Sequence, residues 1–408
     1  MTWTTLTKGL SMPDTVRTER RAGMPQLVLL LAGSCLSVLG AVLIAPVLPQ
    51  MTDHFADVPG ADVLVPIVLT VPALIIGLTA PFAGLIADAV DRKRVLILAM
   101  IGYTLFGTAP LHLDSLGAII GSRVLVGLCE AAIMTCCTTL IADYWSGPRR
   151  SRYLGLQTLL ASVSATVFLG VGGALGSSGW RTPFWLYTVA ALLAVPMYLL
   201  IWQPARTAPG ERLPPLPWRR LRVPCLVTLA GGVVFYALIV ELSFVLDEAG
   251  VTATATIGAL SALMSLATAI AAGSFARLSG RTPRALLPVA FGSSAAGFLI
   301  IWASGGAIPV ITAGAVLTGA GTGLLLPVLL TWATNGLSFA ERGRGTGLWT
   351  GTLFIGEFLS PVLIMGLSGA FGGLRPALGV LGVATAVLAV AMPAIVPRSA
   401  APLNVTHD

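Results

Sequence analysis

The chain has 408 residues, of which 56% are hydrophobic and only 10% charged, with a mean hydropathy of +0.89 and a formal net charge of +7. Apolar runs of about 20 residues recur along it, which excludes a water-soluble globule and points to a polytopic membrane protein. The runs do not alternate polar with apolar, so membrane-barrel strands are excluded as well. Helices cross hydrocarbon because they satisfy their own backbone polar groups.

Residues 1–25 read as a polar tail carrying Lys8, Arg17, Arg20 and Arg21. No cleavable secretory signal is visible there, so the first apolar run is expected to be its own insertion signal. Spans one and two are predicted at 26–48 and 64–87, followed by Arg92, Lys93 and Arg94. Spans three and four, at 95–112 and 117–142, precede Arg149, Arg150 and Arg152. Spans five and six, at 153–176 and 183–203, complete an N-terminal half at 26–203. The stretch 204–222 is a linker with five prolines and five arginines, Arg206, Arg212, Arg219, Arg220 and Arg222. Its prolines oppose a continuous helix. The C-terminal half, 223–396, holds spans seven and eight at 223–246 and 254–276, then Arg277, Arg281 and Arg284. Spans nine and ten follow at 285–304 and 308–333, then Arg342 and Arg344. Spans eleven and twelve, at 346–370 and 375–396, lead to a tail at 397–408 with Arg398.

Of the 24 basic residues, 21 thus fall in alternate gaps and tails, while the opposite gaps hold only Arg181 and Arg375. Arg123 is left inside span four. The sparsely basic side carries Asp53, Asp57, Asp62, Asp114, Asp247 and Glu248. By the positive-inside rule both termini and the linker are cytoplasmic. The positive charge is therefore a topology signal, and no nucleic-acid partner is expected. Cys35, Cys129, Cys136, Cys137 and Cys225 lie in or beside spans without metal-site spacing, and read as small packing residues. With 22 Arg against 2 Lys, the composition is that of a bacterial chain, placing it in the inner (cytoplasmic) membrane.

The halves echo each other. Gly84 and Arg92 recur at a shift of 189 as Gly273 and Arg281, and Arg150, Arg152 and Gly155 recur at a shift of 192 as Arg342, Arg344 and Gly347. Parallel six-span repeats imply a pseudo-two-fold axis along the membrane normal, with a substrate path between the halves. The motif Gly84, Asp88, Arg92, Lys93 resembles the one between spans two and three of the major facilitator superfamily, G-x-x-x-D-R-x-G-R-[KR], with Ala89 and Asp91 departing from it. Arg123 with Gly127, and Gly179-Trp180-Arg181 before span six, are similar to further motifs of that family. The resemblance implies an all-α membrane fold of twelve helices in two six-helix halves. It implies a monomeric carrier without cofactor, nearest in pattern to the drug/proton antiporter branch. In the span-five motif of that branch only the final pair, Gly172 and Gly173, matches, and close packing against a partner span explains it equally.

The resemblance assigns a cytoplasmic gate to Gly84, Asp88, Asp91, Arg92 and Lys93, with Asp88 meeting the N-terminal end of span eleven. Ionisable groups inside spans are expensive and usually functional or paired. Arg123 and Glu130 lie seven residues apart on one face of span four, about 10 Å along its axis, and the family likeness places that face on the central cavity. Glu130 is the preferred proton-coupling group, the alternative being a permanently protonated hydrogen-bond donor. Arg123 reads equally as its partner or as an anchor for neighbouring carbonyls. Glu241, near the outer end of span seven, is either a gate or an interfacial residue that snorkels. Glu357, near the middle of span eleven and followed by Pro361, is a second coupling candidate. Phosphate loops, metal clusters and nucleophile constellations are not recognisable, so an enzyme is not expected. The reading is a proton-coupled exporter of small amphipathic compounds. The alternatives are proton-coupled uptake of a small organic anion, with Arg123 as counter-charge, and a non-transporting sensor on the same fold.

Overall fold

The computed structural model describes residues 22–82, 91–204, 218–335, 337–397 and 403. Among them twelve helices are long and apolar enough to cross a membrane, and no strand occurs among the described residues. Spans one to six are Met24–His54, Ala61–Phe82, Arg92–Leu111, Leu116–Tyr144, Gly147–Gly176 and Thr182–Leu200. Spans seven to twelve are Trp218–Glu248, Thr254–Leu278, Pro283–Trp302, Ile308–Thr334, Glu341–Phe371 and Leu374–Ile395. Helices run past the apolar stretches where the flanking chemistry allows. Span eleven's helix begins at Phe339 because Ser338 caps it, its N–H donating to Glu341 Oε2 at 2.9 Å in a capping box. Gly84 and Asp88 lie outside the described residues.

Each half buries its own apolar core. One core gathers side chains from Leu27 to Ile201, the other from Val227 to Leu403. Two residues of span seven, Tyr236 and Val240, join the N-terminal core instead. Span one is interrupted beside that junction. Its α-helix ends at Val42, a 3-10 turn covers Ala45–Val47, and a short helix resumes over Leu48–His54. Pro46 causes the break, since it has no N–H to offer the Val42 carbonyl.

The spans place the basic gaps on one face, here the basic face, and the acidic gaps on the other. Arg181 and Arg375, the basic residues at the acidic face, each meet an acid there: Arg181 Nη2 lies 2.7 Å from Asp114 Oδ1, and Arg375 Nε lies 3.8 Å from Glu248 Oε2. At the basic face Arg92 pairs with Asp143, and the Tyr144 hydroxyl bonds the backbone of Trp202. Asp91, standing where glycine is usual in the motif, caps span three by accepting from the Arg94 N–H at 3.1 Å. Lys93 places its ammonium 5.0 Å from the centre of the Tyr198 ring.

The halves meet along two glycine-lined seams that close at opposite ends. Spans five and eight touch near the acidic face. A Cβ on Gly173 would stand 2.6 Å from the Gly258 Cα, and Thr166 donates to Ser265 Oγ at 3.1 Å. Only glycine permits helix axes this close. Toward the basic face the same helices bury nothing: span five has no buried residue before Leu169, and span eight none after Ser265. Spans two and eleven touch near the basic face, where a Cβ on Gly351 would stand 2.7 Å from the Gly77 carbonyl oxygen and one on Gly347 2.9 Å from that of Ala80. Gly155, the repeat partner of Gly347, faces open space.

The orientation is testable by labelling. In a variant with the five native cysteines replaced, Asp57→Cys is expected to react with an impermeant maleimide in intact cells, and Arg150→Cys only after permeabilisation. The opposite pattern would reverse the assignment of faces.

Candidate functional site

Four ionisable side chains lie deep in the spans. Arg123 is 0% exposed, Glu130 1%, Glu357 4% and Glu241 6%. A buried charge must find polar partners, and how each one does so defines its part.

Arg123 uses all three guanidinium nitrogens. Nε donates to the Val68 carbonyl at 3.2 Å, Nη1 to the Tyr187 hydroxyl at 2.6 Å, and Nη2 to the Gly40 carbonyl at 3.0 Å. These oxygens belong to spans two, six and one, so a single side chain of span four ties three neighbours together. The planar fork suits this, because its donors diverge in fixed directions. Tyr187 stacks near Tyr103, with ring centroids 4.9 Å apart, and the Tyr103 hydroxyl donates to the Leu36 carbonyl at 2.6 Å.

Glu130 meets the same glycine from the other side. A Cβ on Gly40 would overlap Glu130 Oε1, and would stand 2.8 Å from its Cδ and 3.2 Å from the Tyr103 hydroxyl. Oε1 itself is buried without a hydrogen-bond partner. The spacing in sequence places Arg123 and Glu130 about 10 Å apart along one helix face, which the family likeness turns toward a central cavity. In the structure both converge on Gly40 without an ion pair, enclosed within the N-terminal half.

Glu357 sits across the interface. Span eleven packs on span seven through Gly232 and Gly356, and Ser360 donates to the Val233 carbonyl at 2.9 Å. Pro361, four residues on, has no N–H for the Glu357 carbonyl, so the main chain of this residue lacks its ordinary helical hydrogen bond. Tyr236 of span seven bridges the halves here, its hydroxyl donating to the carbonyl of Ala41, the residue after Gly40. Glu357, Glu130 and Arg123 all lie within electrostatic reach of this hydroxyl.

Glu241 lies apart from this group. It lines a cavity of about 240 Å³ near the acidic face, together with Asp62 and Glu248. Of the gate residues, Asp91, Arg92 and Lys93 are held at the basic face as described above, and among the described residues no cluster of His, Cys, Asp and Glu is suited to hold a metal ion. Sequence reasoning missed Gly40, Tyr187 and the pivotal place of Tyr236. Their partners are backbone carbonyls or side chains of distant spans, which leave no local pattern.

Replacing Arg123 by Lys keeps the charge but leaves at least one of three buried oxygens unpaired, at about 1–3 kcal/mol for each. Arg123→Lys is therefore expected to lower the thermal unfolding temperature in detergent by several degrees. An unchanged transition would deny the anchor.

The profile of the Major Facilitator Superfamily matches residues 30–306 and 224–406. Among curated relatives, the class C tetracycline resistance protein of Escherichia coli is 25% identical over 228 residues, 55% of this chain and 56% of that protein. Multidrug resistance protein 2 of Bacillus subtilis is 29% identical over 171 residues, 41% of each chain. The quinolone resistance protein NorA of Staphylococcus aureus is 25% identical over 201 residues, 47% of this chain and 50% of that protein. The chain thus spans about half the length of the curated relatives it matches. Among solved structures, a bacterial homolog of the human lysosomal transporter Spinster, inward-facing and occupied, superposes with a TM-score of 0.74 at 17% identity, covering 90% of this chain and 95% of that one. The human organic anion transporter MFSD10 gives 0.68 at 18% identity, covering 91% and 99%. At these identities the superpositions speak for the fold alone. With the profile spanning both halves and the glycine-seamed twelve-helix architecture, the chain belongs to the major facilitator superfamily of transporters.

Proposed function

We propose that the chain is a proton-driven exporter of small amphipathic organic compounds, working by alternating access in the bacterial inner membrane with both termini cytoplasmic. The observation that carries this reading is the Tyr236–Ala41 hydrogen bond between the halves, with Glu130 and Glu357 both within electrostatic reach of its hydroxyl. A carboxyl group sealed from water without a partner is most stable when neutral, and one that water reaches ionises. Movement at this contact changes the access of both carboxyls. Proton uptake from the acidic face and release at the basic face are thereby tied to which side of the cleft is open.

The two seams supply the movement. Rocking that opens the basic face parts spans two and eleven there while spans five and eight stay closed at the acidic face, and the reverse rocking parts spans five and eight while two and eleven stay closed. The enclosure of Arg123, bonded through every nitrogen, supports export over the uptake of an anion that would need this guanidinium as counter-charge. The names of the relatives, resistance proteins for tetracycline, quinolone and multiple drugs, support an amphipathic cargo moved outward.

In inverted vesicles, Glu130→Gln is expected to abolish flux driven by a pH gradient while leaving substrate counterflow intact. Flux that ignores the gradient in the wild type would sink proton coupling, and unchanged coupling in the variant would shift the role to Glu357. Tyr236→Phe removes one interdomain hydrogen bond, about 1 kcal/mol net, and is expected to shift the conformational equilibrium roughly fivefold away from the state described. Cysteine accessibility along span seven reads that shift.

A further inference from the structure

The cavity near the acidic face lies between the halves, where spans two and eleven diverge from their contact at the basic face. Span two contributes Asp62 and Ile67, span seven Glu241, Phe244 and Glu248, and span eleven Met365. Its volume of about 240 Å³ is room enough for several waters or a small organic group.

Its charge is one-sided. Glu248 stands at the mouth and is approached by Arg375 at 3.8 Å. Glu241 lies two turns deeper on the same helix and is 6% exposed. Its carboxylate has neither a hydrogen bond nor an ion pair among the described residues, yet it faces this cavity. Asp62 stands on the opposite wall, and Asp53 and Asp247 add to the negative field of this face. A buried, unpartnered carboxyl aimed into a space of this size is neutral while the space holds no charge and ionises against a cation that enters it.

The walls select the kind of cation. A hard metal ion such as calcium takes six to eight oxygen ligands, whereas this cavity is bounded largely by apolar side chains. Phe244 offers an aromatic face, which attracts ammonium groups. We infer that the outer cavity between spans two, seven and eleven is a binding site for the ammonium group of a compact organic cation, with Glu241 as its deep counter-charge. This rests on the exporter reading only for its role, as the place a cationic substrate occupies on leaving.

The test is equilibrium binding of radiolabelled tetraethylammonium to the full-length protein in lipid nanodiscs. Glu241→Gln is expected to weaken binding at least tenfold, and Glu248→Gln less, since Arg375 already engages that carboxylate. Glu241→Asp, which keeps the charge, should bind within a few-fold of wild type, and Asp114→Asn, elsewhere on the acidic face, should bind as wild type. The inference is overturned if wild type does not bind the probe or if Glu241→Gln binds it normally. Equal losses in Glu241→Gln and Glu241→Asp would also overturn it, as would calcium displacing the probe at micromolar levels. Gradient-driven flux, measured separately on the same preparations, keeps the two readings apart. Flux without probe binding overturns this inference alone, and probe binding without flux overturns the exporter reading alone.

Discussion

A guanidinium that cannot reach water must have its donors met by protein oxygens, and Arg123 meets that demand by binding three other spans at once. The Gly40, Val68 and Tyr187 oxygens it holds come from spans one, two and six, so the N-terminal half is clamped around a single side chain. Every other feature of the buried polar group follows from that clamp. It fixes Gly40, whose missing side chain makes the room that Glu130 fills, and it holds Ala41 where Tyr236 can reach its carbonyl. In the proposed alternating-access cycle a half held rigid in this way would move as a body, with the motion at the surfaces between the halves.

Those surfaces are built from glycine, for a physical reason. Within a membrane, helix association gains little from the hydrophobic effect and depends on close approach. Gly173 against Gly258 and Gly351 against Gly77 allow backbone contact over a short length, leaving the rest of each seam free to part. That the contacts sit at opposite ends places open space at the acidic face on one side and leaves spans five and eight unburied toward the basic face on the other. The acidic cavity with Glu241 is a direct product of this arrangement.

Much of this was legible in the sequence. The arginine-rich gaps fix which helix ends share a face, and the pairing of Arg181 with Asp114 and Arg375 with Glu248 accounts for the two basic residues that depart from the pattern. The reading of Gly172 and Gly173 as close-packing residues agrees with what they touch, the Leu43 carbonyl and the backbone of Thr254 and Gly258. Asp91, where the chain departs from the family motif, caps span three, its carboxylate accepting from the Arg94 N–H. The spacing of Arg123 and Glu130 placed them on one face, but convergence on Gly40 depends on long side chains bending toward a neighbouring span. Nothing in a lone glycine within an apolar run marks that. Tyr236 is opaque for the same reason: its hydroxyl bonds a main-chain carbonyl 195 positions away.

The central claim is that the ionisation of Glu130 is coupled to the movement of one half against the other. Distances between spin labels at Arg150→Cys and Arg277→Cys, on the basic-face ends of spans five and eight, measured by pulsed electron resonance at acidic and alkaline pH, test it directly. A pH-dependent change in the distance distribution is expected, and it should disappear when Glu130→Gln is added. A distribution that ignores pH in the wild type, or one that still responds to pH in the Gln variant, would contradict it.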